Sequence, residues 1–143
     1  MAGFNHLAQF VARAILGVIF IAHGWQKLTD TGVDNVATWF KSLDIPLPTF
    51  SAYLATWAEL IGGVCLIIGL LLPLVSLVLI VDMIGAIYYV HGDHGFWATD
   101  GGYEWPLALI AGLLAVGFVP HGISAADTYI LKRRNRDTAA PTP

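Results

Sequence analysis

Glu59 is the only formally charged residue in YLATWAELIGGVCLIIGLLLP, residues 53–73. Asp82 stands equally alone in LVLIVDMIGAIYY, and Arg13 opens the apolar run RAILGVIFIA. An ionisable side chain in such surroundings costs several kcal/mol unless it is paired, protonated or facing a wet cavity. Two acids and one base leave one negative charge over, so a proton held on one carboxyl, or a histidine, is expected to balance the set. His23 and Lys27 supply further polar groups in HGWQK, and His91, His94 and Glu104 follow in the third loop. The chemistry open to these types is proton exchange and hydrogen bonding to a buried polar ligand. His91 and His94 have the i, i+3 spacing of a metal pair. They sit in the glycine-rich stretch HGDHGFWATDGGYE with no third ligand nearby, so no metal site is assigned. Haem between His23 and His91 ranks below a quinone, because similar depth is not a ligation motif.

The elements that must hold these groups follow from composition. Of 143 residues, 57% are hydrophobic and 12% charged, against roughly 45–50% and 25% in soluble domains. The mean hydropathy is +0.69. A small soluble domain cannot bury that surplus, so the chain is read as an all-α integral membrane protein whose first partner is the lipid bilayer. Crossing a hydrocarbon core of about 30 Å takes roughly 20 apolar helical residues. Four spans are expected, at about 7–28, 50–72, 74–90 and 105–123, forming one four-helix domain over residues 1–134. Residues 135–143 read as a disordered tail, and the N-terminus as a retained first span, since it lacks a basic leader and a cleavage site. Pro73 and Pro106 suit helix starts.

Between spans one and two, Val36, Trp39, Phe40 and Leu43 recur at i, i+3, i+4 and i+7. This short amphipathic helix either lies in the membrane interface or caps the bundle. Lys132, Arg133, Arg134 and Arg136 follow the last span, whereas the first and third loops hold five Asp and one Lys. Both termini are therefore expected in the cytoplasm, with the chain in a cytoplasmic (inner) membrane. The net charge of −3 offers no basic stripe for nucleic acid. A lone cysteine, Cys65, excludes an intrachain disulfide and a cysteine metal cluster.

Helix geometry then places the groups. Glu59 lies about 14 Å and Asp82 about 12 Å into their spans, with Arg13 about 9 Å into the first, at 1.5 Å per residue. An Arg13–Asp82 structural ion pair is expected on depth. Arg13, Gly17, Phe20, Gly24 and Lys27 share one helix face, as do Glu59, Gly62, Leu66 and Gly69, and as do Asp82, Gly85 and Tyr89. Small residues on these faces let helices approach. His23 with Glu59 is expected to form the reactive pair. Lys27, Tyr88, His91 and Glu104 are further cofactor-binding candidates, and Trp25, Trp57 and Tyr88 would line an apolar slot.

In order and spacing, RAILGVIFIAHGWQKL, AELIGGVCLIIGLLLP, VHGDHGFW and GYEWPLALIAGLLAVGFVPHGISAAD resemble the DoxX family of small bacterial membrane proteins, over about residues 10 to 134. The resemblance implies a four-helix membrane fold, and that the cytoplasmic (inner) membrane is a bacterial one. It implies Arg13, His23, Gly24, Lys27, Glu59, Gly62 and Gly63 as matching positions, followed by His91 and Glu104. Some relatives are linked with quinone-dependent redox systems and others with oxidative-stress complexes. The expectation is a quinone-interacting subunit with a protein partner in a membrane complex. The chain has no flavin or dinucleotide fingerprint, so electrons would have to come through a bound quinone or haem, or from that partner. A non-enzymatic membrane anchor or assembly factor stays open as the alternative, as do enzymatic activity itself and homo-oligomerisation. A carrier ranks third, because one four-helix chain without an inverted repeat is thin for alternating access.

Overall fold

The computed structural model describes residues 2–118, with side chains from His6 onward. The end of the expected fourth span, the basic residues Lys132–Arg136 and the tail 135–143 lie outside the described residues. Five α-helices make the fold: α1 (Ala2–Trp25), α2 (Val33–Ser42), α3 (Pro48–Ile68), α4 (Leu72–Ala86) and α5 (Glu104–Phe118). No strand occurs among the described residues. The segments His6–Thr31, Pro48–Ile68 and Leu72–His94 are long and apolar enough to cross a bilayer, and α5 is apolar over the 15 residues described.

Each helix boundary has a local cause. Pro48 opens α3, while Pro73 and Pro106 sit in the first turns of α4 and α5, where a missing N–H costs nothing. Gly69, at φ 75°, ends α3 in the left-handed region that glycine enters without strain. Its N–H and that of Leu70 are both donated to the Cys65 carbonyl at 2.9 Å. The α3–α4 turn therefore falls at residues 69–71, a few residues before the boundary expected from hydropathy, which does not register a glycine cap. At the opposite end two helices run on. A π-helical segment, Gln26–Thr31, extends α1, and a second, Ile87–His91, extends α4.

Contacts run α1 on α3, α3 on α4, α4 on α5 and α5 back to α1, a closed four-helix bundle. The core joins Leu16 and Phe20 of α1, Leu66 of α3, Leu79 and Met83 of α4, and Leu109, Leu113 and Val116 of α5. Large apolar side chains such as Leu7, Val18, Ile61, Val81 and Leu114 point outward, which suits lipid rather than water. The stripe in the first loop forms α2, which buries Val33, Val36 and Ala37 against Ala52 of α3. The helix thus packs on the bundle along α3. The side carrying α2 is called the loop end below, and the side of the 69–71 turn the hairpin end.

Candidate functional site: a polar cluster in an apolar cavity

Near the middle of α3, Glu59 is 2% exposed. Its Oε2 accepts a hydrogen bond from Lys27 Nζ at 2.6 Å, the one salt bridge among the described residues. Lys27 is the second residue of the π-helical segment, so the widened turn continuing α1 carries the cation. Single π turns inside helices occur frequently at functional sites. One turn below Glu59, Gly62 packs on Leu79, and one turn above Leu79 lies Asp82. Glu59 and Asp82 therefore lie at about one level on α3 and α4 and line one cavity. Asp82 Oδ2 is buried and receives no donor. With one ammonium for two carboxyls, the set is neutral only when one carboxyl is protonated.

The cluster lies in a cavity of about 700 Å³. Phe20, His23 and Lys27 wall it from α1, Ala55, Ala58 and Glu59 from α3, and Asp82, Gly85, Tyr89 and His91 from α4 and its π extension. Trp39 and Phe40 of α2 line it at the loop end, with Trp105 and Pro106 of α5 beside them. His23 Nδ1 lies 2.9 Å from the Ile19 carbonyl, and His91 Nδ1 lies 2.6 Å from that of Gly101. A carbonyl oxygen only accepts, so each Nδ1 carries the hydrogen and each Nε2 is left for other partners.

Of the residues expected at a site, His23, Lys27, Glu59, Asp82 and His91 thus share one cavity. The Arg13–Asp82 ion pair does not form, which corrects the depth argument. α1 is antiparallel to α3, with Gly24 against Thr56 and Leu60 and Gly17 against Gly63 and Ile67. Arg13, a turn further toward the hairpin end, is therefore roughly 15 Å along the axis from the level of Glu59 and Asp82. The depth argument started span one at Leu7 and ended it at Leu28, whereas the helix runs from Ala2 and continues to Thr31. Arg13 instead lies 6.0 Å from the Phe10 ring centroid.

Tyr88 faces outward at 77% exposure, and Tyr89 takes the place expected for it. The shared face of Asp82, Gly85 and Tyr89 already contained that signal. Trp25 is exposed, and Trp57 lines only a shallower groove between α3 and α4. Glu104 braces the third loop, its Oε2 accepting from the Ala98 N–H at 3.0 Å. That loop is tightly built: Tyr103 N–H bonds Gly95 O and Glu104 N–H bonds Phe96 O, with Gly95 and Gly101 at positive φ. Among the described residues no three His, Cys, Asp or Glu side chains converge as a metal site. Trp105 was missed, since it carries no spacing signal that points inward, and Phe40 was read only as part of the α2 stripe and not as a cavity wall.

Fold and cavity together define a polytopic α-helical membrane protein with a polar cluster inside its bundle. The DoxX family model matches residues 8–92, more than half of the sequence, and the chain belongs to the DoxX family. It is 30% identical over 135 residues to "Putative oxidoreductase CatD" of Bacillus subtilis (strain 168), covering 94% of this chain and 96% of that protein. It is 27% identical over 131 residues to "Uncharacterized membrane protein Rv3486" of Mycobacterium tuberculosis (strain ATCC 25618 / H37Rv), covering 85% and 80%. No solved structure matches the chain significantly.

Proposed function

We propose that this protein is a quinone-interacting subunit of a redox or oxidative-stress complex in the bacterial cytoplasmic membrane. The observation that carries the reading is the convergence of Lys27, Glu59 and Asp82 in a cavity whose other walls are mainly apolar and aromatic. Cavities of this size, with few convergent polar groups, suit a small organic ligand. A quinone needs donors for its carbonyl oxygens, a source of protons and an apolar surround. Lys27 and a protonated carboxyl of the Glu59–Asp82 pair would supply the donors, with Trp39, Phe40 and Trp105 against the ring. A bound quinone would supply the two-electron, two-proton couple, and a partner protein the electrons. The chain's own part would be to hold a proton on the Glu59–Asp82 pair and to replace it through His23 and His91, which line the same cavity from α1 and from the extension of α4. The name of the Bacillus subtilis relative points to the same class of chemistry.

The Lys27–Glu59 bond at 2.6 Å would also serve a second reading, in which the cluster only clamps helices and the protein anchors or assembles a partner. Glu59→Gln separates the two. Protein purified in mild detergent is extracted with organic solvent for quinone mass spectrometry, alongside a visible spectrum for haem. Under the first reading wild type yields about one quinone per chain and Glu59→Gln loses it. Quinone-free wild type that still copurifies with a fixed partner would sink the redox reading in favour of the anchor.

A further inference from the structure

We infer that the cavity is reached sideways from the lipid, through the seam between α3 and α4, and that Gly85 keeps the seat of the ligand head clear. The occupant is a membrane-dissolved amphiphile with a ring-sized polar head and a hydrocarbon tail. This rests on the reading of the cavity as a ligand site and adds its route and the shape of its occupant.

Three features of the seam carry the inference. First, the cavity wall includes Leu54, Leu77, Val78 and Val81, which are also among the outward-facing apolar side chains. A cavity closed to lipid would not be lined by residues half exposed on the bundle's outer surface. At the loop end the lining is bulky and aromatic, Trp39, Phe40 and Trp105, whereas the seam is walled by aliphatic and small side chains. Second, a groove of about 310 Å³ shares Leu54, Ala58 and Val78 with the cavity and continues along the seam to Leu74 and Val75. Its walls are apolar throughout, which suits a tail and not a polar solute. Third, a Cβ built on Gly85 meets nothing within 4 Å, whereas one on Gly62, two turns nearer the hairpin, lies 3.1 Å from Leu79. Glycine inside a helix is destabilising relative to alanine. At Gly62 a helix neighbour fills the space it leaves, but at Gly85 no protein atom does. One turn away lies Asp82, which lines the cavity and whose buried Oδ2 has no donor.

The test places a reactive probe at the seat. In protein whose single native cysteine, Cys65, is replaced by Ala, Gly85→Cys is introduced and the protein reconstituted in phosphatidylcholine vesicles. The open space around Gly85 accommodates the added side chain. Labelling is then followed with N-(1-pyrenyl)maleimide, which partitions into lipid, and with a sulfonated maleimide confined to water. Lateral access predicts modification at least about tenfold faster by the lipid-borne reagent, since burial of apolar area concentrates it in the bilayer. Ala58→Phe, which narrows the seam, should cut that rate several-fold. Equal labelling by the charged reagent, no labelling by either, or indifference to Ala58→Phe would each overturn the route. Decylubiquinone added to the vesicles should protect the thiol. Rapid lipid-borne labelling without protection would remove the quinone from the proposed function and leave the lateral route standing.

Discussion

Toward the hairpin end, a Cβ on Gly63 would lie 2.6 Å from the Gly17 carbonyl oxygen and one on Gly17 2.6 Å from the Gly63 carbonyl oxygen, so α1 and α3 touch backbone to backbone. Beyond Asp82 the arrangement reverses, and Gly85 looks into the cavity. The same residue type closes one half of the bundle and opens the other. In lipid, apolar burial adds little to helix association, and close packing and interhelical hydrogen bonds do the holding. The closed half uses the first device. The open half gives up close approach between α3 and α4, and uses the Lys27–Glu59 bond and the packing of α2 on α3 instead.

That division can be broken in measurable ways. Lys27→Met should have the largest effect, a loss of about 3–5 kcal/mol, because it leaves a buried carboxylate without its cation. Unfolding in detergent, followed by circular dichroism, reads this loss, and adding Glu59→Gln should recover most of it. No recovery would mean that Lys27 matters through packing and not charge. Gly63→Val, in the closed half, should destabilise by about 1–3 kcal/mol through overpacking, visible as a lower midpoint in the same assay. Gly85→Ala carries the opposite sign, a gain of about 0.5–1 kcal/mol from helix propensity alone. If the two glycine variants shift the midpoint in the same direction, the contrast between the halves is wrong. Smallest of all, Tyr53→Phe should change stability by less than about 0.5 kcal/mol, as exposed contacts usually do. Tyr53 Oη reaches Asp34 only at 3.5 Å, and α2 is seated by Val33, Val36 and Ala37.

Much of the fold was legible because hydrophobic runs, prolines and glycines report directly on helices in lipid. Periodicity found α2, and the isolation of Glu59 and Asp82 in apolar runs identified two members of the cluster. The face Arg13–Gly17–Phe20–Gly24–Lys27 even placed Lys27 toward neighbouring helices and away from lipid. The partner of each charge was not legible. Pairing depends on axial register, and register depends on where helices end: Gly69 shortens α3, and the π segment prolongs α1. A few residues of error at an end move a side chain by about a turn, or 5.4 Å. Such errors add up over several helix ends, and together they assigned Arg13 to Asp82 and left Lys27 at the rim. The cavity was illegible for a different reason, since empty space arises from several helices at once and no single segment encodes it.

The tight 69–71 turn bears on how the protein is made. With residues 69–71 alone between them, α3 and α4 are expected to enter the bilayer as one hairpin. Glu59 and Asp82 would then cross together at one depth, each beside a polar partner instead of alone in hydrocarbon. Lys27 precedes both in the chain, so the order of synthesis delivers the cation ahead of the acids.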